Sequence, residues 1–205
     1  YGSNQRLTEL IDGIDIWINP LANPDGAYAG GNQDVWSATR YNANWVDLNR
    51  NYPDPEDGPH PDGNVYQPET NIFLGLADTV NFTISANMHG GVEVCNYPWD
   101  TWSNITADDN WWRHISHQYA DSCQANSGNG YFNYLNDGIT NGYDWYEVAG
   151  GRQDYMNYYK HSVFKKVSII FKTNIFLWRP ITIPSKKTVI SRFTYWKNNK
   201  QSKYC

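Results

Sequence analysis

The 205 residues carry 16 Lys or Arg against 21 Asp or Glu, a net charge of −5, with 16% aromatic residues and three cysteines. That length is enough for one domain with a real core, and no apolar run approaches the roughly 18 residues of a membrane span. Cys95, Cys123 and Cys205 form neither a disulfide framework nor a CxxC zinc motif, although one bridge remains open to them.

In chain order, the opening "YGSNQRLTEL" lacks the basic start and apolar stretch of a signal peptide. It begins without Met, so an upstream segment is expected. "SNQRLTELID" predicts a helix capped by Ser3 or Asn4. "IDIWIN" alternates up to Pro20 and predicts a strand. Residues 20–65, dense in Gly, Pro, Asn and Asp, predict one long ordered loop region. "PETNIFLGLADTV" (68–80) predicts a helix with Pro in its first turn. "FTISANM" (82–88) predicts a strand ending at His89-Gly90-Gly91. "ADDNWWRHISHQYADSCQ" (107–124) predicts an amphipathic helix. "GGRQDYMNYY" (150–159) predicts a glycine turn into a short helix, and "VSIIF" (167–171) a last strand. Strands alternating with helices imply an α/β sheet with helices on its faces, in which ligands gather at strand ends.

The charge is split. Residues 1–159 hold five Lys or Arg and all 21 acids, a net of −16, while residues 160–205 hold 11 Lys or Arg and no acid. A basic tail suggests an anionic partner, or a segment not shaped by the same fold. "NFT" (Asn81–Thr83) and "NIT" (Asn104–Thr106) have the N-glycosylation pattern, which has meaning only in a eukaryotic secreted protein.

Several residues have functional potential, each with a simpler reading. Arg50 beside Asn49 offers a planar fork and a neutral donor that match a carboxylate, or is a structural arginine pairing one of the many acids. His89, at a strand end, can ligate a metal through neutral imidazole, or is a packed histidine. His114 and His117 share a helix face but have no carboxylate motif, and read as surface or packing residues. His60 and His161 read as turn and loop residues. Tyr146, ahead of Gly150-Gly151, fits a mobile flap or plain packing. Asp100 fits a counter-ion to a cationic ligand, or a turn.

Their order and spacing say more than each alone. "NPDG" (23–26), "TRYNANWVDLNRNYPD" (39–54), "PET" (68–70), "SANMHGG" (85–91), "NYPWD" (96–100) and "DGITNGYDWYEVAGGRQDYMNY" (137–158) resemble the zinc metallocarboxypeptidases. The resemblance is to their regulatory branch, the carboxypeptidase D, E and N group, and to related bacterial enzymes. It implies an α/β fold with a mixed twisted sheet and helices on both faces, truncated here at the N-terminus. It also implies a partial catalytic domain over residues 1–159, followed by a divergent basic segment over 160–205.

The implied activity is zinc-dependent hydrolysis of the C-terminal peptide bond. Asn49 and Arg50 would grip the free carboxylate, and Arg40 would polarise the scissile carbonyl. Tyr146 would close over the substrate, and His89 would be the third zinc ligand. Asp100 and Gln153 would favour a C-terminal Lys or Arg. The implied partners are peptide or protein C-termini rather than nucleic acid, and the expected location is secreted or periplasmic. Two departures qualify this. No His is followed by Glu at the third position, so the HxxE pair of zinc ligands is missing. Residues 160–205 also hold no Asp or Glu to serve as the general base. The chain alone is therefore expected to be inactive. The abrupt change after Tyr159 suggests a disrupted or altered reading frame. A non-catalytic module that holds peptide C-termini, and a hydrolase of cell-wall peptides, are the alternatives.

Overall fold

The computed structural model describes residues 2–31 and 35–160, and the backbone of residues 167–172. The described residues belong to two compact units, divided after Ala22.

In the first unit, helix α1 (Gln5–Gly13) starts where the sequence places it, and Asn4 is the cap, its side chain accepting from the Leu7 N–H. No residue of α1 is buried. The strand expected over "IDIWIN" does not form: residues 14–19 carry no ladder, and Ile14, Ile16, Trp17 and Ile18 are all exposed. Alternation gives a strand its two faces, but a strand exists only beside a partner, and none pairs with these residues among those described.

The second unit begins with α2 (Pro24–Ala27), a single turn capped by Asn23. A long loop follows, whose described residues include the 3₁₀ turn Leu48–Arg50. Helix α3 (Pro68–Thr79) has Pro in its first turn, where the missing N–H costs nothing. Then come strands β1 (Ile84–His89) and β2 (Val94–Tyr97), helix α4 (Asp109–Ala125), the irregular turn α5 (Tyr134–Asp137), strand β3 (Ile139–Asn141) and the single turn α6 (Gly142–Trp145). Helix α7 (Arg152–Tyr158) and strand β4 (Val167–Lys172) close the described chain.

The four strands form one mixed sheet in the order β1-β4-β2-β3. β4 lies parallel to β1 and antiparallel to β2, and β2 lies parallel to β3. Successive side chains of a strand point to opposite faces, and β2 shows both. Cys95 and Tyr97 pack in one core cluster with Trp112 and Ala120 of α4. Asn96 points the other way and bonds Asp100, whose backbone is held by Asp154 of α7. Helices therefore cover both faces. A second core cluster joins Tyr52 and Ala77 to Tyr155 and Met156 of α7. No helix among the described residues is long and apolar enough to cross a membrane.

Candidate functional site

The loop "DLNRNYP" is organised by its first residue. Asp47 caps the 3₁₀ turn, its Oδ1 accepting from the Asn49 N–H at 3.0 Å. Its Oδ2 accepts from Arg40 Nε at 2.5 Å and lies 4.0 Å from Arg50 Nη1. One carboxylate thus gathers two arginines that are ten positions apart. Arg40 is steadied from behind: the Asn23 amide donates to its carbonyl at 3.2 Å. Gly26 fits under the same loop, where a Cβ would stand 2.5 Å from the Tyr41 carbonyl oxygen. The "NPDG" motif is therefore a support for Arg40.

Arg50 uses Nη1 to donate to the Asn49 carbonyl at 2.8 Å. Its Nη2 and Nε make no hydrogen bond among the described residues, and the side chain is 29% exposed. The Asn49 Oδ1 accepts from the Arg152 N–H at 3.1 Å, which turns the amide so that Nδ2 remains available. A guanidinium edge with open N–H groups beside an amide donor can receive a carboxylate through charge-assisted bonds.

The stretch after Tyr146 is fastened to this loop. Gly150 has φ +70°, and a Cβ there would lie 2.2 Å from the Arg50 carbonyl oxygen, so only glycine fits. The Gly150 carbonyl accepts from the Tyr52 N–H at 3.1 Å, and its N–H donates to Asp54 Oδ2 at 2.8 Å. Tyr146 itself is 40% exposed, with its ring centroid 4.9 Å from that of Trp145.

Behind this surface lies a cluster of buried acids, Asp54, Asp100 and Asp154. Asp100 is buried, and its Oδ1 accepts from Asn96 Nδ2 at 2.9 Å. Two glycines make room for its carboxylate: a Cβ on Gly142 would collide with Oδ1, and one on Gly151 would touch Oδ2 at 3.4 Å. The Asp154 carboxylate accepts the Asp100 and Thr101 N–H groups at 2.9 and 2.8 Å. Asp54 accepts from Thr101 Oγ1 at 3.0 Å. Burial, and then the charge of Asp100, hold the Asp154 carboxyl well above the usual range. Gln153 is completely buried, and neither atom of its amide reaches a partner. An orphaned buried amide costs about 1–3 kcal/mol, so a polar ligand reaching it would recover that cost.

His89 ends β1, half-buried, with Nε2 2.9 Å from Asn87 Nδ2. Arg152 links this strand to the arginine loop: its N–H holds Asn49, and its Nη2 donates at 2.8 Å to the carbonyl of Ala86, three residues before His89. Its guanidinium also lies 4.4 Å over the Phe73 ring.

The family implies a zinc ion, and the donor set described here does not fit one. No group of three His, Cys, Asp or Glu converges among the described residues, whereas a catalytic zinc takes three protein ligands and a water. His114 is exposed and His117 is off the buried face of α4, which is formed by Trp112, Ser116 and Ala120. His60 stacks on Tyr66 at 4.3 Å, and His161 lies outside the described residues. The sequence reading missed Asp47, Asp54, Asp154, Asn87 and Arg152. All five lie inside the quoted motifs, but nothing in residue type or spacing gives any of them a role.

Comparisons with known proteins bear on the family and the fold. A model described as zinc carboxypeptidase matches residues 1–184. Carboxypeptidase M of Mus musculus is 38% identical over 175 residues, covering 76% of this chain and 37% of the relative. The carboxypeptidase N catalytic chain of Homo sapiens is 36% identical over 196 residues, covering 79% of this chain and 42% of the relative. The chain thus spans about two fifths of the length of these two relatives. Among solved structures, thrombin activatable fibrinolysis inhibitor superposes with a TM-score of 0.63 at 18% identity, over 84% of this chain and 46% of that one. Carboxypeptidase A of Helicoverpa armigera superposes at 0.57 and 20% identity, over 82% and 46%. At those identities the structures show the fold alone.

Proposed function

The chain belongs to the zinc carboxypeptidase family, and from that membership we propose that its complete form hydrolyses the C-terminal peptide bond of peptides and proteins, releasing Lys or Arg. The observation that carries this reading is the pairing of an open arginine edge at Arg50 and Asn49 with the buried Asp100 carboxylate and the unpartnered Gln153 amide, which we read as the pocket for the side chain. The two loops are tied together through Gly150 and Asp54. A free C-terminus brings a carboxylate for the first and a cationic side chain for the second. An internal peptide bond has no such carboxylate, so the clamp selects chain ends. The buried acids of the pocket reject an apolar side chain through the cost of leaving them without a cation.

The remaining roles follow. Arg40, fixed by Asp47, would face the carbonyl being attacked and stabilise negative charge growing on its oxygen. Tyr146 would close over the bound end. His89 would be one ligand of a zinc whose other ligands are not among the described residues, and the described residues would hold and orient a C-terminus. Competing peptides ending in Arg and in Phe, presented to the full-length protein, test the reading. Faster release of Arg is expected. Faster release of Phe would overturn the pocket assignment, and cleavage of amidated peptides at the same rate would overturn the clamp.

A non-catalytic binding module remains the second reading, favoured by the lack of converging metal ligands among the described residues. Stoichiometric zinc in the longest native form would exclude it.

A further inference from the structure

The loop from Trp102 to Asp108 takes no part in the site described above, yet it has features that the fold does not require. It leaves the pocket at Thr101, whose N–H is held by Asp154, and ends where the Asp109 N–H bonds the Thr106 carbonyl at 3.2 Å. Between them Ser103, Asn104 and Ile105 are exposed, Ile105 by 67%. The Asn104 side chain makes no hydrogen bond among the described residues. The Thr106 hydroxyl is buried without a partner. A buried hydroxyl left unpaired costs about 1–3 kcal/mol, and valine would fill the same space without that cost. The hydroxyl at 106 therefore makes no hydrogen bond that holds the folded loop among the described residues.

Asn104-Ile105-Thr106 is an N-glycosylation triplet, and such a triplet needs its third hydroxyl while the chain is still extended. We propose that Asn104 is an N-glycan acceptor when the chain enters a eukaryotic secretory pathway. The donor class is a lipid-diphosphate-linked oligosaccharide. The Asn104 amide nitrogen bonds the anomeric carbon and loses one proton. The sugar–phosphate C–O bond breaks, and the lipid diphosphate leaves with the electron pair. No oxidant or reductant is involved. Two residues earlier, the Trp102 ring is packed edge-on against Trp99 at 5.1 Å and Tyr158 at 5.5 Å. It offers a rigid apolar face for the C–H groups of a first sugar.

The other triplet, Asn81-Phe82-Thr83, is placed differently. It is the short connection between α3 and β1, and Phe82 packs against the core cluster of Tyr52 and Tyr155. Asn81 takes part in further interactions of its own.

The test is expression of the full chain behind a secretory leader in yeast or mammalian cells. Protein is read from both the medium and the cell membranes, so that a variant that misfolds still reports. Peptide N-glycosidase should remove one mobility step and leave Asp in place of Asn at position 104 in the mapped peptide. Asn104→Gln and Thr106→Val should each abolish the step. Thr106→Ser and Asn81→Gln should keep it. Absence of a glycosidase-sensitive step, or a step carried by Asn81 alone, would overturn the proposal.

Discussion

The two halves of the candidate site are built very differently. Around Arg50 and Asp100 the chain closes its own bonds between residues 54 to 103 positions apart, through Asp154, Asp54 and Arg152. Around His89 there is the edge strand β1, paired on one side by β4, with Ile84 and Met88 59% and 63% exposed, a neighbouring Asn87, and no converging metal ligands among the described residues. The difference separates recognition from chemistry. The residues proposed to hold a peptide end are pre-organised, whereas no group of metal ligands that would activate water converges among the described residues.

The largest expected effect is at the clamp. Arg50→Ala should weaken binding of a peptide ending in a free arginine about a hundredfold, the loss of one or two charge-assisted bonds, as read by calorimetry. Arg50→Lys should recover little, because a point charge cannot replace the fork. An unchanged affinity in Arg50→Ala would remove the recognition half from the account.

Next is the bolt between the halves of the recognition region. Gly150→Ala forces a Cβ against the Arg50 carbonyl in a left-handed conformation, and should cost about 2 kcal/mol or more in thermal or denaturant unfolding. Gly63→Ala, at φ +71° but with open space around it, should cost less. Equal costs would mean that the contact with Arg50 has no weight.

The pocket should show itself by charge. Asp100→Asn should reduce the preference for Arg over Phe ends about tenfold. It should also alter stability against pH. The raised Asp154 carboxyl means that the folded state keeps a proton that the unfolded state has lost. Stability from this group is therefore fully present below the ordinary carboxylate range and falls as pH rises through the raised value. Removing the Asp100 charge should lessen that fall, measured as melting temperature against pH. A steeper fall would contradict the pairing.

How much of this was legible beforehand depends on range. Helices α3, α4 and α7 and strand β1 carry their own periodicity or end signals, so local sequence shows them. Strands β2 and β3 are four and three residues long and are defined by pairing, which no local pattern records. "IDIWIN" fails for the converse reason: its alternation is plain, but no described strand runs beside it. In the site, Arg50 stands out by residue type, as one of five Lys or Arg in residues 1–159, and Asp100 by its place in "NYPWD". The partners that fix them, Asp154 and Asp54, look like any of the 21 acids until the fold brings them within bonding distance.

The smallest expected effect concerns the sheet's other face. Burial pushes the Cys95 thiol up to about 12, so it should resist alkylation at neutral pH until the protein unfolds. Its contribution to stability should be complete below pH about 9 and be lost as pH rises towards 12. Rapid labelling of Cys95 in the folded chain would show that α4 does not seal this face.

The most direct test of separate recognition is a pairwise titration of the chain, with no metal added, with one peptide ending in arginine as its free acid and as its amide. Binding of the acid, and its loss in the amide, is the result expected if Asn49, Arg50 and Asp100 form a self-sufficient receptor for a basic chain end. Equal binding of both forms, or binding of neither until zinc is supplied, would contradict it.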